Sequence, residues 1–167
     1  AGGGPSSPPP GSLTAAEQAL VDRLPLSLVN PATCVASRDT EDATYTDAAV
    51  KCDPAARSAS DPGTPPTVVY AGHDRTAALL RKDIDATIAS RKLPSGSCDT
   101  SPGHGQWNLG TPAKRIGDIL CYPATSSGNA VLVWTYDADL IWASAAAPDS
   151  SHANLFAWWK SLSIALR

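Results

Sequence analysis

A chain of 167 residues, 43% hydrophobic and 17% charged, is long enough for one buried core and too short for two ordinary domains. Thirteen basic against sixteen acidic residues give a net charge of −3 with no dense basic run. That excludes the clustered Lys and Arg needed to bind nucleic acid phosphates, and no apolar stretch approaches a membrane span.

The first twelve residues, AGGGPSSPPPGS, are Gly, Pro and Ser apart from Ala1. They read as a linker or stalk, flexible at its start and stiffening through the Pro run toward extended polyproline. Residues 13–167 then form a single domain. Thr14 and Glu17 fit a capping box ahead of a short helix with Leu13, Ala16, Leu20 and Leu24 on one face, stopped by Pro25. An irregular connection leads to Cys34. Residues 43–52 have strand composition, Asp53 to Pro66 a loop composition, and TVVYAG is a strand rich in β-branched residues.

Asp74 is placed to cap the next helix, whose buried stripe is Ala77, Leu80, Ile84 and Ile88. Arg81 and Asp85 form an i, i+4 pair on its solvent side. Residues 99–114 are turn-rich, with Trp107 as the one large anchor. Strands follow near 115–122, 129–136 and 139–146, with YDAD as the last turn. Ser150 or Ser151 caps a closing helix that carries Leu155, Trp159 and Leu162 on one face, which is expected to turn Trp159 toward the sheet and leave Trp158 toward its edge. Consecutive strands through short turns pair antiparallel, so the expected fold is an α+β two-layer sandwich with the helices on one face. A faint echo, VKCDP before VVY and ILCYP before VLVW, raises a reading of two similar halves beside chance similarity.

The four cysteines, Cys34, Cys52, Cys98 and Cys121, include no Cys-x-x-Cys pair. Their even number and wide spacing favour disulfides in an oxidising compartment over free thiols or zinc. Four cysteines allow three connectivities. The expected one is Cys34–Cys52 and Cys98–Cys121, each pair within one half and each tying an irregular segment to a strand end.

Catalytic signatures are weak. His73 and Asp74 stand at a strand-to-helix corner, where acid–base chemistry competes with plain helix capping. His104 lies in SPGHGQW, which lacks the strand–loop–helix order of a phosphate loop. His152 starts a helix. The carboxylates of Asp137 and Asp139 read as a solvent-facing turn, and no Gly-x-Ser-x-Gly elbow occurs. No cofactor or metal is implied. Trp107 with His104 is the expected ligand contact, on the ground that recognition concentrates in loops carried by a rigid frame.

The ordered series VVY, a second Cys, a lone Trp, RIGDILCY, AVLVWTYDADLIWASA and a terminal WW resembles one family. It is that of the extracytoplasmic C-terminal domains of actinobacterial Ser/Thr protein kinases and related membrane proteins, over about residues 28–160. The resemblance implies a sensor-like domain outside the cell, joined through a Pro-rich linker to a membrane segment upstream of residue 1. The chain has no Met, so it reads as a piece or mature segment of something longer. No Gly-rich loop, His-Arg-Asp or Asp-Phe-Gly motif occurs, so any kinase activity belongs elsewhere. The expected function is non-catalytic binding of an extracellular ligand: a small molecule, a cell-wall fragment or a protein. The alternatives are a small secreted hydrolase, a cell-wall glycan or protein adhesion module, and a domain that works through dimer contacts.

Overall fold

The structure is a computed structural model that describes residues 12–37, 45–99 and 102–167. The linker lies mostly outside the described residues. The fold is α+β. Seven strands, β1 (Val35–Ala36), β2 (Thr46–Cys52), β3 (Val68–Asp74), β4 (Gly103–Leu109), β5 (Lys114–Pro123), β6 (Ala130–Tyr136) and β7 (Ile141–Ala146), form one sheet. Its order is β1-β2-β3-β7-β6-β5-β4, and every neighbouring pair is antiparallel. Among the described residues three helices, α1 (Ala15–Arg23), α2 (Ala77–Arg91) and α3 (His152–Lys160), pack on it.

Local chemistry starts and stops the helices much as the sequence indicates. The capping box of α1 is complete: Thr14 Oγ1 accepts from Glu17 N at 3.1 Å, and Glu17 Oε1 accepts from Thr14 N at 2.9 Å. Leu24 is extended, as the residue before a proline prefers. Ser151 caps α3 by accepting from Asn154 N. The cap of α2 is Thr76, which accepts from Leu79 N, and not Asp74. Asp74 is the last residue of β3, so its side chain is spent on the sheet.

Strand alternation divides the hydrophobic residues between the two sheet faces. One face carries Val50, Val69, Leu132, Trp134, Ile141 and Ala143, covered by α1 and α3. The other carries Leu120, Val133 and Trp142, on which α2 lays Leu80 and Ile84. The α+β sandwich therefore stands, but its helices are divided between the faces where the sequence placed them together. The reason is the phase of each strand exit, which tertiary packing selects and local pattern does not specify.

The same division bears on the two similar halves. The meanders β1–β3 and β4–β7 meet at the β3/β7 pair, as an internal repeat would. However, adjacent antiparallel strands are related by a twofold normal to the sheet, which would put α2 and α3 on one face. They occupy opposite faces. The echo is one of strand order alone.

Both disulfides form as expected, Cys34–Cys52 and Cys98–Cys121, with Cα separations of 4.1 and 5.7 Å. The turn-rich segment holds a strand that composition hides: β4 pairs with β5 from Gly103 opposite Cys121 to Leu109 opposite Lys114. Gly103 and Gly105 have no strand preference of their own. They suit the close approach of residues 94–97 to β4, where an added Cβ would sit a tight 3.2 Å from Pro94 O at Gly103 and from Gly96 O at Gly105. Pairing and Trp107 burial override propensity here.

Trp107 sits in an aromatic cluster, edge-on to Tyr136 at 5.2 Å and to Trp159 at 5.5 Å between ring centroids, and its Nε1 donates to Thr135 O. Trp158 and Trp159 are 1% and 8% exposed: Trp159 is turned inward as expected, and the placing of Trp158 toward the edge is corrected, since it too is core. The loop from Asp53 to Pro66 folds back over α3, with Thr64 N donating to Asn154 O, and it covers Trp158.

Candidate functional site

Helix α2 stands above β4 and β5 with a groove of about 510 Å³ between them. Arg81, Asp85 and Ile88 form the helix wall, and His104, Gln106 and Asp118 the sheet floor. Strand register places the floor: His104 lies opposite Leu120 and Gln106 opposite Asp118, so both present side chains on the α2 face. A smaller cavity of about 270 Å³, lined by Leu80, Ile84, Arg81, Asp118 and Asp137, continues it under the helix.

The charged residues form one network. Arg81 pairs with Asp118 and, at 2.9 Å, with Asp85. Arg115 pairs with Asp137 at 2.7 Å and with Asp118 at 3.3 Å. Thr135 Oγ1 accepts from Asp118 N and donates to Asp137 Oδ1. The i, i+4 pair of Arg81 and Asp85 is present, yet Arg81 also crosses to the sheet, a long-range partner that helix periodicity alone does not reveal. Asp137 and Asp139 belong to a 3-10 turn and are each ion-paired, Asp139 with Arg23 at 2.6 Å, where a solvent-facing turn was expected.

His104 is thus at the groove and half-buried. Trp107 is not: three residues along the strand, it faces the opposite core and is 5% exposed. As a ligand contact it is withdrawn, because its whole ring is spent on packing. The residues missed from sequence are Gln106, Asp118 and Arg115. The alternation of a strand over 103–109 was the signal that could have found Gln106.

The other two histidines lie elsewhere. His73 Nδ1–H donates to Asp47 Oδ1 at 2.7 Å, so its acidic partner is Asp47 on the neighbouring strand and not Asp74. This pair borders a second cavity of about 270 Å³, with Arg23, Asp139, Ala16 and Leu20, on the α1 face of the sheet. Among the described residues no hydroxyl or thiol side chain lines that cavity. His152, at the first turn of α3, has a buried Nδ1 without a hydrogen-bond partner, and burial lowers its pKa.

Asp74 has no exposed surface. Its Oδ1 accepts from Thr46 Oγ1 at 2.9 Å, while Oδ2 has no hydrogen-bond partner. Burial, reinforced by Asp83, raises its pKa against the opposing Thr46 hydrogen bond. Tyr136 is likewise pushed up by burial, and its hydroxyl donates to Ile164 O at 2.6 Å.

All four cysteines are in disulfides, so no thiolate is available as nucleophile or ligand. Among the described residues no group of three or more His, Cys, Asp or Glu is arranged to hold a metal ion. No helix among them is long and apolar enough to cross a membrane. No protein-family model, curated protein or solved structure matches the chain.

Proposed function

We propose that this domain is a non-catalytic, extracytoplasmic ligand-binding module, the sensor part of a membrane-anchored receptor of the Ser/Thr kinase type. The observation that carries the reading is the groove between α2 and the β4–β5 edge. It is open, polar and built on strands that a disulfide staples at Cys121. Its carboxylates and guanidinium groups are paired with one another at an open surface, which suits exchange of partners with a ligand. A catalytic carboxylate is instead kept ready beside the atom from which it takes a proton. Among the described residues the His–Asp pair, His73 with Asp47, lies on the other face and has no nucleophile lining its cavity. Two disulfides are consistent with an oxidising, extracellular location. The kinase and the membrane tether rest on the sequence resemblance.

Two measurements on the purified domain test this. Esterase, peptidase, glycosidase and phosphatase substrates give no turnover, and turnover abolished by His73→Ala or His104→Ala would replace the reading with a hydrolase. A fragment library followed by amide NMR moves His104, Gln106 and Arg81 first. Shifts confined to the α1 face would move the site to the His73 cavity.

A further inference from the structure

Strand β4 ends the sheet, and its outer edge is only partly covered. His104 turns both backbone groups outward: its N–H donates to Pro94 O and its carbonyl accepts from Gly96 N, each at 3.0 Å. Along an antiparallel pair outward groups recur every second residue. Gln106 therefore turns the same way, and Asn108 follows it past a register irregularity after Trp107, whose unmatched residue, Ile116, lies on β5 and not on β4. Asp118, opposite Gln106, sends its own N–H the other way, to Thr135 Oγ1 on β6. No backbone partner meets the outward groups of Gln106 and Asn108 among the described residues. Both side chains are exposed, and no Lys or Pro lies between Gly105 and Leu109 to guard the edge.

We infer that this edge takes an extended peptide bearing a basic side chain as an eighth strand, with that side chain in the groove under α2. The inference deepens the ligand-binding reading and rests on it. Backbone hydrogen bonds to Gln106 and Asn108 supply the attachment, as in other strand-addition complexes. A strand added there lies beyond β4 and past residues 94–97, which already occupy the edge at His104, so its α2-facing side chains flank Gln106, which lines the same groove as Asp85 on the helix wall. The network around the groove counts Arg81 and Arg115 against Asp85, Asp118 and Asp137, which is 2 − 3 = −1. Asp85 is the outermost member, with 63% of its side chain exposed. A Lys or Arg from the added strand pairs with Asp85 and balances the count. An acidic side chain in that place repeats the surplus sign.

The probe is a blocked heptapeptide, Thr-Lys-Val-Lys-Val-Lys-Thr. It is compared with its Glu-for-Lys counterpart and with a version N-methylated at alternate amides. The folded domain binds the Lys peptide, and hydrogen exchange at Gln106 and Asn108 slows on titration. Gln106→Pro removes the outward donor at an edge position that tolerates proline, and it weakens binding at least roughly tenfold. Unchanged melting and unchanged remote amides show that this variant folds. Asp85→Asn weakens the Lys peptide by up to about fivefold, the range of an exposed ion pair. Several results overturn the inference: no binding, equal binding of the N-methylated or Glu peptide, or full binding to Gln106→Pro. Slow exchange at Gln106 without peptide, in a dimer that forms with concentration, would also overturn it by assigning the edge to a second copy. Fragments that bind at His104 while the Lys peptide does not would overturn the inference and leave the ligand-binding reading standing.

Discussion

Asp74 carries the clearest pH signature of any single residue here. Its pKa is raised from the ordinary 3.8, chiefly by burial, so the folded state holds the proton more tightly than the unfolded chain does. Ionising it therefore costs stability. That penalty is absent below the unfolded pKa, grows as pH rises through the interval up to the folded pKa, and is constant above it. Asp74→Asn removes the titration, so the melting difference between variant and wild type rises with pH across that interval and then levels. A difference that stays flat from pH 3 upward would assign the buried carboxyl no linkage. The two tryptophans of α3 give a second residue-scale prediction. Both are in the core, so Trp158→Ala and Trp159→Ala each cost about 3 to 5 kcal/mol in chemical denaturation. A Trp158→Ala cost under about 1 kcal/mol would mark that ring as peripheral.

Among the elements, α2 is the one held least by apolar packing. The core beneath it has four buried residues, Leu80, Ile84, Leu93 and Leu120, while α1 and α3 share the larger core with the tryptophans. Its other attachments are polar and partly wet: Arg81 to Asp118, and Arg91 to the carbonyl of Pro123. Opening free energy follows such differences. Amides in the middle of α2 are expected to exchange faster than those in the middle of α3, and a faster α3 would contradict this division of the core. The loop over α3 is fastened by backbone fit. Gly63 has a φ of +76°, and a Cβ there would overlap the backbone of Trp158 and Asn154. Gly63→Ala is therefore destabilising by more than about 1 kcal/mol, seen as a lower melting temperature, because the strain and the clash add.

For the molecule as a whole, the two staples close separations of 18 and 23 residues, worth roughly 3 kcal/mol each in the loop-entropy account. Their consequences differ by position. Cys98–Cys121 fastens the segment that lies against His104 and the start of β4, at the groove. Cys34–Cys52 fastens β2, close to the far edge of the sheet. Paired Cys→Ser replacement of either bond lowers stability to a similar degree. Only the Cys98/Cys121 replacement is expected to weaken the Lys peptide in a titration held well below melting. Equal loss from both would tie binding to global stability.

Local chemistry was enough for the helices, the central strands and the staples. The capping box at Thr14, the β-branched run before Gly72, the Ser151 cap and the cysteine placement each act within a few residues or through a simple count. Sequence reading likewise brought His104 to notice, though for a loop that is in fact a strand. Tertiary structure decided what depends on partners far along the chain. Gly103 and Gly105 became a strand because β5 and residues 94–97 needed a close neighbour there. Trp107 and Trp158 became core because β6 and a returning loop cover them. Arg81 kept its helix neighbour Asp85 and added Asp118, 37 residues on, and so built the groove wall. Which face a helix takes, and which edge stays open, depend on how strand exits and side-chain volumes fit across the sheet, and that fit is a property of residues brought together only by folding.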